Sequence, residues 1–267
     1  MTLTLNKGFW SPADSGGAVP FGDVQLLINF DASPIAAIVG GTIDGTNSRA
    51  TSPTVFSSAG SAYFSGDTGS NANYWVNFAD LQNTNALGQF GTDPFMIELC
   101  CYPTNVGGYD TLFLMGGYYW SPHQGMGIEV RPSGVIRFNA TTTLQNSGSN
   151  LGVIDTSTTM SDDTWYYYCV AGSGLDGGSG TVSFYIGELT ASTATREAQS
   201  TYTVCNSYAS NTYGRTTIGA SIYSGRPSPY FYASFKGYID NVRVVKGTDT
   251  TEQAASIPMI TEQFPTS

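Results

Sequence analysis

The stretch FKGYIDNVRVVKG, Phe235 to Gly247, holds the key to the fold. It starts as a strand. Phe235, Gly237 and Ile239 alternate with period two, as residues on one face of a strand do. Val242 and Val244 alternate as well, but in the opposite phase. The segment also carries two Lys, one Arg and one Asp, in a chain where only 11% of residues are charged. A strand that changes faces at Asp240-Asn241 needs a physical reason.

The rest of the composition points to strands. The 267 residues suit one large all-β domain. Charged residues are fewer than half the roughly 25% typical of soluble domains. Gly is abundant, at 32 residues, and Tyr (17) and Phe (14) favour pleated, half-buried surfaces. No long amphipathic helix with Glu/Lys pairs is visible. The formal net charge of -10, with 10 Lys+Arg spread along the chain, argues against a phosphate-binding face and so against nucleic acid. The start, MTLTLNKGFW, has no apolar run of signal-peptide length, and no segment nears the ~18 apolar residues that span a bilayer. The expectation is a protein made in a cytoplasm, with no membrane partner.

Four cysteines, Cys100, Cys101, Cys169 and Cys205, invite a disulfide reading. Cys100 and Cys101 are adjacent in FMIELCCYP, however, and strand neighbours point to opposite faces. Buried free thiols without an intrachain bridge are expected. No CxxC or Cys/His spacing suggests zinc, and the single His123 excludes a His-rich site.

Residues 1–20 read as an irregular N-terminal arm rich in Gly, Pro and Ser, with Phe9 and Trp10 as anchors for a neighbouring surface. Residues 21–267 form the second unit. Strands are expected at 23–32, 61–66, 73–78, 94–103, 110–117, 125–132, 134–140, 164–172, 180–189 and 215–221. In 94–103, Phe95, Ile97, Leu99 and Cys101 face one way and Met96, Glu98, Cys100 and Tyr102 the other. RPSG (131–134) is a tight-turn signal. Many short strands with frequent turns mean a sandwich or barrel.

In this order the pieces resemble the laminin-G-like, concanavalin A-like jelly-roll modules common in phage virion proteins. The series runs DVQLLINFD, AYFSGDTGSNANYWVNF, FGTDPFMIELCCYP, GIEVRPSGVIRFNA, DDTWYYYCVAG, VSFYIG, TTIGAS and the closing F-x-G-x-I-D-x-V-R-V, over roughly residues 23–247. The resemblance implies an all-β antiparallel jelly-roll β-sandwich of the lectin/glucanase type, residues 21–267, behind the arm. In that family the closing motif is a core strand returning across the sandwich. The phase change at Asp240-Asn241 would then be a β-bulge, which re-aims side chains. Gly237 would permit close backbone approach, and Asp240 would bond backbone amides or Arg243. Trp165, Phe184, Ile186, Phe235 and Ile239 are expected between the two sheets.

The fold hosts sugar binders, hydrolases and inert structural parts alike, so function rests on residues. Retaining glucanases of the superfamily use E-x-D-x-x-E to set two carboxylates about 5 Å apart. None of the six Glu begins that pattern; Glu98 and Glu129 each stand alone in their strands. An enzyme is not expected. Calcium would need six to eight oxygens; Asp67, Asp110 and Asp240 could contribute. In pentraxin-like relatives the calcium loops bring several acids together, and GGYYWSPHQG, in the matching position, has none. No cofactor is therefore expected, and no metal ligands are named. Glycan binding needs aromatic faces and amides, and Tyr118, Tyr119, Trp120, His123 and Gln124 supply both. YSGRPSPYFY (223–232) is a second aromatic loop. Packing or a subunit interface is the other reading of both loops.

The resemblance implies a non-enzymatic phage structural protein on the virion surface, as capsid decoration (cement) or as a tail-fibre or spike component. It would be assembled in the host cytoplasm, with other virion subunits as partners and a homo-oligomeric state. The competing class is a carbohydrate-binding adhesin, a receptor-binding lectin module that recognises host surface polysaccharide. One protein can be both.

Overall fold

The computed structural model describes residues 23–31, 43–44, 48–56, 59–66, 76–78, 93–117, 124–140, 153–173, 180–202, 215–222, 231–232, 234–247 and 254–260. The arm, with Phe9 and Trp10, lies outside the described residues. Among the described residues there is no helix. The strands are β1 (Asp23–Ile28), β2 (Ile43–Asp44), β3 (Ser48–Ala50), β4 (Ser61–Ser65), β5 (Val76–Phe78) and β6 (Phe95–Pro103). Next come β7 (Asp110–Gly117), β8 (Gln124–Val130), β9 (Val135–Ala140), β10 (Val153–Thr159), β11 (Tyr166–Gly172) and β12 (Gly180–Glu188). The chain continues through β13 (Thr193–Tyr202), β14 (Arg215–Ile218), β15 (Ser221–Ile222), β16 (Phe231–Tyr232), β17 (Lys236–Lys246) and β18 (Ser256–Pro258).

They form two antiparallel sheets and a ribbon. The large sheet runs β18-β13-β12-β11-β6-β17-β4-β3, with β1 also on β17; the small sheet runs β10-β9-β8-β7-β14-β5-β2; β15 and β16 pair alone. The inner faces meet in an apolar core that includes Phe64, Leu99, Phe113, Phe138, Tyr168 and Phe184. Period-two alternation explains the side-chain directions along β6. Phe95, Ile97, Leu99 and Cys101 enter this core, while Met96 and Cys100 belong to a second apolar layer on the outer face. That outer layer is completed by Ile257, Met259 and Ile260 near the C-terminus and by Val55.

The phase change in β17 is a bulge. Asp240 pairs with Cys100 and Arg243 with Glu98, so three steps on β17 match two on β6. Asn241 takes up the extra residue at φ 49°, a left-handed conformation that Asn tolerates better than most residues. Its N–H donates to Asp240 Oδ1 at 2.8 Å. The bulge lets Ile239 and Val242 both face the core. It also marks a change of neighbour: β17 pairs with β4 through Ile239 and with β1 from Val242 onward. Gly237 is required, because a Cβ there would sit 2.2 Å from the carbonyl oxygen of Tyr102.

Phe184, Ile186, Phe235 and Ile239 are in the core as expected, but Trp165 is not. Trp165 is half-buried against the outer layer. It precedes β11, in which Tyr166, Tyr168 and Val170 point inward and Tyr167 and Cys169 outward, and it shares the outward phase. Several strands are additions to the sequence reading. Beyond the short β2, β3, β15, β16 and β18, the longer β10 and β13 are rich in Thr, Ser, Gln and charge and lack the apolar alternation of the others. Cys100, Cys101 and Cys169 are free and buried; Cys205 is outside the described residues.

Candidate functional site

The register of the small sheet places Ile43, Phe78, Arg215, Gly117, Gln124, Ala140 and Val153 at one end. Five sequence segments join strands there: 32–42, 79–92, 118–123, 141–152 and 203–214. Asn, Gln, Ser, Thr and Gly are plentiful in 79–92, 141–152 and 203–214, aromatics occur in three of the five, 32–42 is mostly apolar and small, and Asp80 is their single acidic or basic residue apart from His123. The predicted contact loop is one of them. Gln124 opens β8, with its backbone paired to Gly117. Tyr118, Tyr119, Trp120 and His123 lie outside the described residues, as does the side chain of Gln124.

The second aromatic segment is rooted at the other end of β7. Gly219 donates its N–H to Leu112 O at 3.0 Å and accepts from the N–H of Phe235 at 2.8 Å. These bonds close a neck from which residues 220–234 leave and return, with β15 and β16 as its inner rungs and Ser234 bridged to Thr111. Only glycine fits the neck: at φ +78° a Cβ on residue 219 would lie 2.0 Å from the Phe64 ring. The two aromatic segments are therefore rooted at opposite ends of a strand roughly 25 Å long, at about 3.3 Å per residue.

The end of the small sheet that holds the neck has short, pinned connections. Asp162 Oδ1 accepts from Val106 N–H at 2.9 Å, Asn105 Oδ1 from Gly107 N–H at 3.0 Å, and Pro103 O from Asp163 N–H at 2.8 Å. The RPSG turn closes through Gly134 N–H to Arg131 O and Arg131 N–H to Val135 O, both at 2.8 Å. On the outer face of the sheet, Thr111 pairs across the strands with Glu129, and Glu129 with Arg137. Arg137 in turn holds Asp155 by two bonds of 2.6 Å. One rung further out, the guanidinium of Arg131 sits 4.3 Å from the centroid of the Tyr109 ring. Tyr109 is 51% exposed, the most exposed large hydrophobic side chain among the described residues. Sequence reading missed it because VGGYD looks like any turn. Burial pushes the Asp110 carboxyl up to about 7, with the Lys236 charge pulling the other way. The hydroxyls of Thr111 and Ser234 are buried without a hydrogen-bond partner.

The carboxylates are arranged for structure. Glu98 Oε2 accepts from Arg243 Nε at 2.5 Å, and Glu98 Oε1 accepts from the Tyr167 hydroxyl, all three groups being buried on the outer face of the large sheet. Asp240 was expected to bond backbone amides or Arg243; its Oδ1 accepts from the backbone N–H of Asn241, and the bulge sets Arg243 opposite Glu98. Burial, and then the charge of Glu98, push the Tyr167 hydroxyl well above its ordinary value. Among the described residues no group of three or more His, Cys, Asp or Glu is placed to hold a metal ion.

No family model matches the chain, and no curated protein does. Solved structures do. The binding domain of botulinum neurotoxin DC in complex with SialylT aligns with 85% of this chain and 48% of its own, at 14% identity and TM-score 0.51. The binding domain of Paraclostridial Mosquitocidal Protein 1 aligns with 85% of this chain and 49% of its own, at 11% identity and TM-score 0.53. A botulinum neurotoxin type C structure concerned with cell entry through two ganglioside molecules aligns with 85% and 48%, at 12% identity and TM-score 0.50. The chain thus spans about half the length of the structures it matches. The likeness shows the fold, an all-β jelly-roll sandwich.

Proposed function

We propose that this protein is a non-enzymatic structural protein on the surface of a phage virion, and that its jelly roll carries a glycan-binding end. The observation that carries the glycan reading is that the strand ends flanking five nearly uncharged sequence segments lie at one end of the small sheet. Sugars are neutral and dense in hydroxyls. Amides and hydroxyls match them without the desolvation cost of a buried charge, and aromatic rings stack on their C–H faces. Variable loops on a rigid sandwich are a common way to present such groups. Tyr118, Tyr119, Trp120, His123 and Gln124 are the contacts within this end. The structural neighbours support a binding role: one is a binding domain in complex with SialylT, and another concerns gangliosides. Those ligands belong to chains about twice as long as the matched part.

The virion reading rests on the order of the strand motifs. It takes other virion subunits and further copies of this chain as partners, either on the capsid as decoration or on the tail as fibre or spike, after assembly in the host cytoplasm. Phe9 and Trp10 in the arm would dock on a neighbouring subunit. The test is retention on host polysaccharide. Trp120→Ala should lose retention without unfolding the domain. Retention equal to the parent chain would remove Trp120 from the site, and a glycan array with no hits for the parent would remove the glycan reading. Antibody labelling of intact particles tests the virion location; particles that bind no antibody would overturn it.

A further inference from the structure

We propose that Tyr109, Arg131 and Glu129 form a second sugar site, at the opposite end of the small sheet from the Tyr118–Gln124 connection, and that it takes the ring of a neutral hexose. It borrows only its ligand class from the glycan reading above; its residues and its end of the molecule are different.

Three observations converge. First, Tyr109 is half in solvent, yet its loop is fixed by Asp162, Asn105 and the Pro103–Asp163 bond, with Val106 packed against the core. A ring held this way has already lost most of the freedom that binding would remove. Arg131 lies 4.3 Å from the ring centroid on one side and sets the ring's orientation. With 51% of the residue exposed, the ring offers surface to a sugar's C–H face.

Second, Arg131 Nη1 and Glu129 Oε2 are 3.9 Å apart, beyond hydrogen-bond length. A sugar hydroxyl between them can accept from the guanidinium and donate to the carboxylate. The side chains are 26% and 8% exposed, so the donor is reachable and the acceptor lies deeper. Strand pairing fixes their spacing. Glu129 is opposite Thr111 and Val130 opposite Asp110, the last pair of that ladder, and Arg131 and Tyr109 follow directly on the two strands.

Third, charge selects the ligand. The chain carries a formal -10, and Arg131, the cation against the ring, already faces the Glu129 carboxylate at 3.9 Å. An anionic sugar would gain little from that guanidinium and would meet repulsion from Glu129. The patch is also too charged for the apolar surround that protein hot spots use to exclude water.

The experiment is an amide-resolved NMR titration of the full chain with methyl β-D-glucopyranoside, methyl β-D-galactopyranoside, methyl α-D-mannopyranoside and N-acetylneuraminic acid. At least one neutral hexoside should shift the amides of Val106, Gly107, Gly108, Tyr109, Arg131 and Gly134. Tyr109→Ala should weaken that response roughly fivefold to tenfold, the worth of one aromatic contact, and Tyr109→Phe should restore it. Trp120→Ala should leave it unchanged. Three results would overturn the site: no hexoside moves these amides, Tyr109→Ala responds like the parent chain, or N-acetylneuraminic acid binds here more tightly than every hexoside. The amides of Gln124, Gly125 and Met126 report the other end. If they stay still while Tyr109 responds, the first site fails and this one stands; the converse pattern overturns this one.

Discussion

Arg243→Met should destabilise the protein by about 3–5 kcal/mol, because it leaves a carboxylate buried without its counter-charge. Glu98 is 3% exposed and receives bonds from Arg243 and the Tyr167 hydroxyl. Without the guanidinium, the Tyr167 hydroxyl is the hydrogen-bond donor left to it among the described residues. The lost methylene packing is largely replaced by Met, so the charge dominates the change. For a chain of this size the loss amounts to a fall of roughly 6–20 °C in Tm. The triple variant Glu98→Met, Arg243→Met, Tyr167→Phe removes the charges and the hydroxyl together. It should recover to within about 1 kcal/mol of the parent, since well-packed apolar groups replace buried ion pairs at little cost. Urea unfolding followed by tyrosine and tryptophan fluorescence measures both, with an unchanged m-value as the check that only stability has moved. A loss below about 1 kcal/mol for Arg243→Met would refute the buried pair. A triple variant as unstable as the single one would refute the claim that uncompensated charge is the cause.

Asp110 gives the fold a pH dependence. Its carboxyl titrates at about 7 when folded, against about 3.8 ordinarily, so the folded chain holds a proton that the unfolded chain releases. The resulting stabilisation is full below about pH 4 and is lost as the pH rises to about 7, on the order of 2–4 kcal/mol in all. Asp110→Asn should flatten that part of the stability profile; parallel profiles for the two chains would contradict it. Burial holds the thiols of Cys100, Cys101 and Cys169 well above their ordinary pKa values, so they should resist alkylation in the native state and react after denaturation without prior reduction. Rapid native labelling of any of the three would contradict their burial.

The closing motif of β17 was legible because Phe235, Gly237, Ile239, Val242 and Val244 alternate cleanly on either side of a two-residue slip. β6 was legible for the same reason, and its two faces are as the sequence implies. Trp165 shows where alternation stops informing. β11 is buried on both faces, so both phases of WYYYC are apolar and hydrophobicity does not choose between them. β13 shows the opposite failure. Its inward positions are small or polar, because its neighbours β12 and β18 supply the pairing that holds it. The Glu98–Arg243 pair joins residues 145 apart in sequence and depends on a register that only the folded sheet defines. At the candidate sites, residue type pointed to the Tyr118–Gln124 connection. Tyr109 needed the Arg131 contact across the strands to stand out from an ordinary turn.

The neck formed by Gly219 and Phe235 makes the sandwich indifferent to what it encloses. Its ends are fastened to Leu112 and to each other by backbone hydrogen bonds, the Thr217 hydroxyl donates to Ala220 O, and Thr111 and Ser234 add a rung beside them. The segment between can therefore be lengthened, shortened or exchanged with little strain on the sheets, since loop closure becomes only slowly more costly with length. Residues 223–230 are a natural place to graft a foreign peptide, a tag or a new recognition sequence.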